Sequence, residues 1–405
     1  MQIKPILSAL TRHRIAAVLI ALEIALACAV LCNAFFLISA RLDLLHLDSG
    51  VDEKALATVA LSGCDACGSH TELNVRVLDV VRGTPGIQAV GTINSLPFTS
   101  PAGNSGVCLD QQCNHVGGVP HFYTADAGAM AALRLTPVRG RSFSDEDYQS
   151  FERFAPNAAN VLITRALAEH LWPEQDPLGK ELWGAGHYRV IGILEHLARP
   201  DPGRSEDGII GTDWSVVVPV RNDSQSGVYV LRADPKELPR LLQQVRARIT
   251  QAIPQTLLDD RYSQPLSELR QTYFRPDRAM AGLLVAVIAA MLLVTALGIV
   301  GLASFWVAQR TKQIGIRRAL GATRKDILRY FQTENFLLAS GGIVLGMLLA
   351  YGGNLLLMKH FELARLPLLY LPIGAVLLWG VGQLAVLGPA MRAASIPPVV
   401  ATRAV

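Results

Sequence analysis

Four long apolar segments dominate the pattern of hydrophobic and polar positions along this chain. They cover residues 15–40, 279–307, 336–358 and 370–391, and each is almost free of charged side chains. An α-helix needs about 20 predominantly apolar residues to cross a bilayer. The pattern therefore predicts a multi-pass α-helical membrane protein with four transmembrane helices. Residues 41–278, between the first and the second helix, are predicted to form a separate domain.

Basic residues flank the apolar segments and predict their orientation. Residues 309–329 contain seven Lys or Arg residues against one acidic residue, and both ends of the chain carry further basic residues. Lys and Arg are concentrated on the cytoplasmic side of membrane proteins. We therefore expect the cytoplasmic segments to be 1–14, 308–335 and 392–405, and the segments outside to be 41–278 and the short 359–369 loop.

The composition agrees with a chain that is part membrane protein and part globular domain. Of its 405 residues, 51% are hydrophobic, and the mean hydropathy is +0.32. That average is high for a soluble protein and low for one that lies wholly in a membrane. The net charge of +4 comes largely from the basic flanks, so it indicates contact with membrane lipids rather than binding of nucleic acid.

The first apolar segment has two interpretations and one unusual residue. A cleaved signal peptide has an apolar region of about 7–15 residues, whereas this run covers 15–40, which favours an uncleaved anchor. Ala27 and Cys28 faintly resemble a lipoprotein cleavage site, but apolar residues continue beyond them. Glu23 is an acid within the membrane segment, and such residues usually face protein or water. It is interpreted either as a hydrogen-bonded packing contact or as a participant in transport.

The basic segment between the second and third apolar runs contains residues that typically end one helix and begin the next. Gly321 is suited to end a short helix in the left-handed conformation. Thr323 is suited to cap the next helix, with Asp326 three residues later as its capping-box partner. Residues 308–335 are therefore predicted to form a helix–turn–helix elbow at the inner membrane face, where a soluble partner is able to move the membrane helices.

The elbow carries a family resemblance. The residues Ile-Gly-Ile-Arg-Arg-Ala-Leu-Gly-Ala-Thr at 314–323, followed by Thr-Glu-Asn-Phe-Leu-Leu at 333–338, strongly resemble the signature of FtsX-like permeases. These are the membrane subunits of type VII ABC transporters, which include the MacB-like exporters. The family places this motif between its second and third transmembrane helices, as here. It often has Ala where this chain has Asn335.

The resemblance implies an architecture, a location and a set of partners. It implies four transmembrane helices and a large α+β extracytoplasmic domain of porter-like and inserted subdomains, in the inner membrane of a bacterial cell. The expected partners are a separate ABC ATPase, a second copy or a related permease, and a periplasmic adaptor with an outer-membrane channel. The expected coupling residues are Arg317 and Arg318 as contacts, Ile314, Ile316 and Leu320 as the packing face, and Gly321 and Thr323 at the turn.

The motifs of an enzyme do not occur in the sequence. The phosphate-binding pattern GxxxxGK[S/T] is absent from the 405 residues, and so are Gly-x-Ser-x-Gly and His-Glu-x-x-His. MacB itself carries an ATPase ahead of its first helix, whereas fourteen residues precede that helix here. We therefore expect a non-catalytic permease subunit without a cofactor, and an ATPase in another chain.

Strand and helix patterns alternate in the predicted outside domain. Strands are predicted at 55–62, 87–95, 160–163, 188–194 and 228–233, and helices at 72–82 and 238–253. The second of these helices is expected to start at Asp234 as its cap, with Pro235 in the first helical position. The pattern resembles a porter-like subdomain that is interrupted by an inserted one, with boundaries near residues 100 and 225.

Two close pairs of cysteines lie in the same domain. They are Cys64 with Cys67 and Cys108 with Cys113, and His70 and His115 follow them. CxxC with nearby His is also compatible with zinc or with free thiols. The predicted compartment is oxidising, which favours disulfides. Their pairing, local or crossed, is left open by the spacing.

Three functions fit these features. The first is an exporter subunit whose helices transmit ATP-driven motion to the outside domain, with a peptide, an antibiotic or lipid-like material as cargo. The second is release of lipoproteins to a carrier. The third is mechanical activation of a cell-wall hydrolase, as in FtsX itself, for which the outside domain is larger than needed. Export is the favoured interpretation.

Overall fold

The chain divides into a helical unit and an α+β unit. A computed structural model describes residues 14–63, 69–152, 154–205, 207–225, 227–361 and 367–395. The helical unit comprises the chain up to Asp43 and from Asp277 onward, and the α+β unit is Leu44–Pro276.

The helices and strands follow one another in a simple order. They are α1 (Arg14–Leu45), β1 (Leu56–Gly63), α2 (His70–Arg82), β2 (Ile87–Thr92), β3 (His121–Ala125), α3 (Ala127–Leu133), β4 (Arg139–Gly140), β5 (Ala158–Thr164), α4 (Arg165–Leu171), β6 (Glu181–Trp183), β7 (His187–Leu194), β8 (Ser215–Pro219), β9 (Val228–Ala233), α5 (Leu238–Ala252), β10 (Leu257–Leu258), α6 (Leu266–Tyr273), α7 (Arg275–Gln309), α8 (Thr311–Ala319), α9 (Arg324–Phe361) and α10 (Tyr370–Ser395).

Four helical segments in the described part of the chain are long and apolar enough to cross a membrane. They are Ala17–Leu45, Leu266–Gln309, Arg324–Leu356 and Tyr370–Ser395. Four such helices, with an α+β unit between the first and the other three, confirm the predicted fold class. The second helix of the elbow and the third of these segments form one continuous helix, Arg324–Phe361, so the predicted boundary between residues 335 and 336 is not a break in the helix. Backbone hydrogen bonding does not stop where the side chains become polar.

One face of helix α1 packs against the other three long helices of the helical unit. Ile24, Cys28 and Cys32 of α1 are at most 1% exposed and pack with side chains of α7, α9 and α10. Two glycines of α9 permit this contact. A Cβ on Gly342 would lie 2.8 Å from the carbonyl oxygen of Ala21, and one on Gly346 would lie 2.5 Å from that of Ala25. Residues 342 and 346 thus form the close-packing pattern of small residues that membrane helices use.

The α+β unit contains two sheets. The first has the strand order β10-β1-β9-β2, and α2 and α5 pack on it through buried apolar residues such as Val77, Leu78 and Val245. The second has the order β3-β8-β5-β7-β4, with β6 paired to β7. The chain therefore leaves the first sheet after β2, builds the second sheet, and returns to the first with β9.

Helix α5 has the predicted range but not the predicted cap. It begins at Leu238, as the range 238–253 predicts, so Asp234 is not its cap and Pro235 is not its first residue. The Asp234 carboxylate accepts a hydrogen bond from the backbone N–H of Lys236 at 2.9 Å, and its carbonyl accepts one from that of Glu237 at 3.0 Å. Asp234 therefore organises a turn that precedes the helix, a role that its side chain fills as readily as capping.

Candidate functional site

Helix α8 ends in a glycine turn at the tip of the elbow. Gly321 has φ of 100°, a conformation that favours glycine. Its N–H donates to the carbonyl of Arg318 at 3.1 Å, and the N–H of Ala322 donates to that of Arg317 at 3.0 Å. This is the hydrogen-bond pattern of a Schellman motif, which satisfies the last carbonyls of a helix. The predicted helix end at Gly321 is confirmed.

Helix α9 begins with a capping box directly after that turn. The backbone N–H of Asp326 donates to Thr323 Oγ1 at 3.3 Å, and the N–H of Thr323 donates to the Asp326 carboxylate at 2.9 Å. Each residue thus satisfies a backbone donor of the other. The predicted cap at Thr323 is confirmed, and the elbow turn is fixed by local hydrogen bonds at both of its ends.

A buried ion pair holds the other end of the elbow. Arg310 lies between α7 and α8, and its Nη1 donates to both carboxylate oxygens of Glu334 in α9, at 2.9 and 3.0 Å. The two side chains are 13% and 1% exposed. The guanidinium also lies 5.5 Å from the ring centroid of Trp306. The junction of α7 and α8 is thereby attached to α9.

Sequence reasoning assigned this pair no role. Glu334 is part of the motif at 333–338, but its partner is 24 residues away along the chain. An acid within a mostly apolar helix, with an arginine at the end of the preceding one, is the signal that points to such a pair.

Apolar packing and a cation–π contact attach α8 to its neighbours. Ile314 is 5% exposed and lies in a cluster with Ile327 and Phe331 of α9 and with alanines of α10. The Arg317 guanidinium lies 4.8 Å from the ring centroid of Tyr330. Together with the ion pair, these contacts hold α8 and the start of α9 together as one rigid element.

The three residues predicted to form one packing face of α8 do not share the same environment. Ile314 is buried, whereas Ile316 is 46% and Leu320 is 83% exposed. Residues two apart on a helix lie on opposite sides, while residues four apart lie on one side. Ile316 and Leu320 therefore form an exposed apolar pair on the side of α8 away from the bundle. Arg317 is exposed and Arg318 is partly buried.

Glu23 lies against α7 in the helical unit. A Cβ on Gly298 would lie 2.8 Å from one carboxylate oxygen of Glu23 and 3.1 Å from the other. The glycine therefore leaves room for the carboxylate beside α7. Both interpretations of Glu23, a hydrogen-bonded packing contact and participation in transport, stay predictions.

The structure describes one of the two external cysteine pairs. Cys108 and Cys113 form a disulfide with a Cα–Cα distance of 5.1 Å, while Cys64 and Cys67 lie outside the described residues. His115 Nδ1 is 2.9 Å from Asp110 in this loop, and hydrogen bonds from Asn114 and His115 lower the pKa of Asp110. His115 thus has a carboxylate partner beside the bridge. No cluster of His, Cys, Asp and Glu suited to a metal occurs in the described part of the chain.

We expect both external cysteine pairs to be oxidised in the protein isolated from cells. Each pair closes a loop of only a few residues, so each bridge contributes less to stability than the few kcal/mol of a long-loop disulfide. Mass mapping of unreduced peptides should find 64–67 and 108–113 cross-links. Four thiols that react with an alkylating agent before reduction, or stoichiometric zinc, would contradict this expectation.

The sequence matches two family models. Residues 285–398 match the FtsX-like permease C-terminal model, and residues 25–251 match the MacB-like periplasmic core domain. The elbow lies within the first match, and both sheets lie largely within the second.

Named relatives agree with these matches. The chain is 28% identical over 280 residues to the macrolide export ATP-binding/permease protein MacB of Bdellovibrio bacteriovorus, covering 66% of this chain and 41% of that protein. It is 30% identical over 277 residues to the pyoverdine export ATP-binding/permease protein PvdT of Pseudomonas entomophila, covering 65% and 39%. It is 25% identical over 300 residues to the uncharacterized ABC transporter permease YvrN of Bacillus subtilis, covering 70% of each. The chain spans about two fifths of the length of the first two relatives.

Proposed function

The chain belongs to the family of ABC transporter permeases that combine a MacB-like periplasmic core domain with an FtsX-like C-terminal region, and we propose that a partner ATPase moves this periplasmic domain through the elbow. The observation that carries the proposal is the exposed pair Ile316 and Leu320 on a helix that is braced against the bundle. An exposed apolar pair on a rigid support is suited to insert into a pocket of a partner, because little conformational entropy is lost on binding.

The continuity of α9 supports transmission of force. Its 38 residues correspond to a rod of about 57 Å at 1.5 Å per residue. A displacement of α8 acts on this rod through the Arg310–Glu334 pair, the Arg317–Tyr330 contact and buried Ile314. Motion applied at the elbow therefore reaches the membrane segment of α9 without a flexible joint in between.

A partner chain is proposed as the source of ATP hydrolysis. The 405 residues contain no phosphate-binding loop of the pattern GxxxxGK[S/T]. The elbow carries the exposed basic residues Lys312, Arg324 and Lys325, which lie a few residues along the chain from the apolar pair. We therefore expect the ATPase to present an apolar pocket with an acidic rim, since such a surface complements the elbow.

The proposed process is export. Relatives of this chain are named for export of macrolides and of pyoverdine. A peptide, an antibiotic or lipid-like material is the proposed cargo, and a dimer of permeases in a bacterial inner membrane, with an adaptor and an outer-membrane channel, is the proposed assembly. Co-purification separates this function from the alternatives. A periplasmic adaptor supports export, a lipoprotein carrier supports lipoprotein release, and a peptidoglycan hydrolase supports mechanical activation.

The elbow is expected to be cytoplasmic and the α+β unit periplasmic. Single cysteines at exposed Gln313 in α8 and exposed Lys236 before α5, on a background without the native cysteines, report these positions. An impermeant maleimide added to spheroplasts should label the Lys236→Cys variant and leave the Gln313→Cys variant unlabelled until the membrane is opened. The reverse labelling would exclude the proposed orientation.

The docking role of the elbow is tested by placing charge on its apolar pair. The Ile316→Asp/Leu320→Asp double variant is expected to weaken retention of the ATPase about tenfold, since an apolar pocket rejects a carboxylate. Both positions are exposed, so folding and membrane insertion should be unaffected. ATPase recovered in a pull-down with the solubilised permease is the measurement.

A matched control exists in the α+β unit. Ile209 and Ile210 are 51% and 79% exposed, and the same double change to Asp there should leave ATPase retention at the wild-type level. The Arg317→Glu/Arg318→Glu variant should also reduce retention, although Arg317 has a packing role beside Tyr330. Undiminished recovery with charged residues at 316 and 320 would show that the ATPase docks elsewhere.

A further inference from the structure

An open cleft of about 520 Å³ lies on the α+β unit, where residues of both sheets meet. Its walls come from the chain before β1, from β9 of the first sheet, from the end of β7 in the second sheet, and from the end of α3. Ligand sites of other proteins have volumes of about 300–1,000 Å³. The cleft combines apolar and charged side chains, among them Val51, Leu135, Val138, Asp52, Arg134 and Arg232.

Arg232 is a buried cation in the wall of this cleft. Tyr229 and Leu231 of β9 pack with α2 and α5, so the alternation of a strand directs Arg232 to the other face of the sheet. It is 3% exposed, and its Nε donates to the carbonyl of Ala132 in α3. Its Nη1 lies 3.4 Å from the Asp52 carboxylate, whose side chain is 55% exposed. A long ion pair to an exposed acid compensates a buried charge only in part.

Arg134 brings a second guanidinium into the same cleft. Its Nη2 donates to the neutral amide oxygen of Gln88 at 3.3 Å. Burial and, next, the positive charge of Arg134 lower the pKa of Arg232, while Asp52 opposes this shift. Arg134 is also the C-cap of α3, with φ of 55°, a conformation that favours glycine. The backbone therefore disfavours an arginine here, and a role of the side chain explains its presence.

Two further acids of the cleft have hydrogen-bond or ion-pair partners of their own. Glu195 pairs with Arg165 at 2.5 Å, and Asp48 accepts a hydrogen bond from the backbone N–H of Gly50 at 2.9 Å. Neither acid belongs to the charges that shift the pKa of Arg232. The part of the cleft around this arginine therefore holds two guanidiniums and one carboxylate, which favours a further negative charge.

We propose that this cleft binds an amphipathic organic anion, whose phosphate or carboxylate oxygens contact Arg134 and Arg232 and whose apolar part packs on Val51, Leu135 and Val138. The planar fork of a guanidinium matches the paired oxygens of either group. The apolar lining selects against a bare inorganic anion, because such an ion would leave this surface in contact with water.

Binding to the unsubstituted full chain tests the charge and the apolar part separately. The chain is titrated calorimetrically in a non-ionic detergent and a phosphate-free buffer, with detergent alone as the blank. Phenyl phosphate and benzoate are the probes, and the tighter of the two identifies the oxyanion that the site takes. Inorganic phosphate should bind at least about fivefold more weakly than phenyl phosphate, since it lacks apolar surface. Benzylamine, a cation of similar size, should not bind. Failure of both probes, or equal binding of benzylamine, would overturn the proposal.

Substitution of Arg134 assigns the binding to this cleft. Arg134→Gln should weaken the affinity for the better probe about tenfold, because a hydrogen bond to a charged group is lost. Arg240→Gln is the matched control, since Arg240 is an exposed arginine of α5 paired with Glu237, and it should leave the affinity unchanged. Arg134→Gly removes the side chain and suits the left-handed backbone, so the melting temperature should not fall while the affinity does. Unchanged affinity in both Arg134 variants would show that the anion does not bind here.

Asp52 provides a prediction of opposite sign. Asp52→Asn removes the carboxylate that competes for Arg232, so the affinity for the better probe should rise about threefold, within the range of an exposed ion pair. Asp260→Asn is the control for net charge, because Asp260 is 79% exposed and pairs with Arg246 elsewhere in the unit. Weaker binding in Asp52→Asn, or an equal rise in Asp260→Asn, would contradict an anion site at the two arginines.

Discussion

Replacement of Glu334 by alanine is expected to destabilise the helical unit by about 3–5 kcal/mol, the cost of leaving one member of a buried ion pair alone. Arg310 is 13% exposed and would retain its charge without the carboxylate. Among the described residues the guanidinium would retain its contact with the Trp306 ring, and α8 would lose the ion-pair part of its attachment to α9, leaving the packing of Ile314 and the Arg317–Tyr330 contact. The elbow of this variant should therefore bind the ATPase and yet fail to transmit its motion.

Two measurements check this expectation. Unfolding of the full chain by SDS in mixed micelles gives the change in stability, and ATP hydrolysis by the co-purified complex shows the loss of coupling. Asp176→Ala is the control, because its pair with Arg139 at 3.2 Å is exposed, with side chains at 60% and 54%. Exposed pairs contribute about 0–1 kcal/mol. Equal effects of the two variants would mean that the Arg310–Glu334 pair does not brace the elbow.

A double replacement separates charge burial from the brace itself. Arg310→Met/Glu334→Leu removes both charges and keeps most of the packed volume. Apolar replacements of a buried pair are often neutral or stabilising, so this variant should recover most of the stability that Glu334→Ala loses. Continued loss of coupling in the double variant would assign the pair a role in transmission beyond stability.

The elbow shows where sequence reasoning succeeds. Gly321, Thr323 and Asp326 act through hydrogen bonds that span three or four residues, so their identities and spacing suffice to predict the helix end and the cap. The same holds for β9, whose bounds of Val228–Ala233 coincide with the predicted strand. The error at α5 has the opposite origin, because Asp234 is equally suited to a turn and to a cap.

Contacts between distant segments were beyond such reasoning. An acid in a mostly apolar helix and an arginine at the end of the preceding helix signal that a pair exists, but its geometry depends on how α7 packs beside α9. The first sheet likewise pairs β1 with β9 and β10, which are far apart in sequence. The division of Ile314 from Ile316 and Leu320 is a different case. Helical periodicity alone places residues 314 and 316 on opposite sides, so this split was available from the sequence.

The glycines of α9 were predictable in their role but not in their partner. Their spacing at 342 and 346 predicts close helix packing, but only the structure identifies α1 as the partner. A Cβ at Gly346 would lie 2.5 Å from both Ala25 O and Cys28 Cβ, whereas a Cβ at Gly341 has no atom of another residue within 4 Å. Gly346 thus faces packed helix α1, whereas Gly341 in the same helix faces open space. The two glycines are a matched pair for substitution.

We expect Gly346→Val to separate α1 from α9 and to destabilise the helical unit by about 2–3 kcal/mol, toward the upper end of the range for overpacking. The obstructing atoms belong to the backbone and the Cβ of α1, so no rotamer change relieves the contact. Gly341→Val should change stability by less than about 0.5 kcal/mol. The native thiols provide a direct reporter, because Cys28 and Cys32 are fully buried in the same contact. Alkylation by a membrane-permeant maleimide should be slow in the wild type and in Gly341→Val, and markedly faster in Gly346→Val. Slow alkylation in all three chains, with equal resistance to SDS, would show that the packing of α1 against α9 does not depend on Gly346.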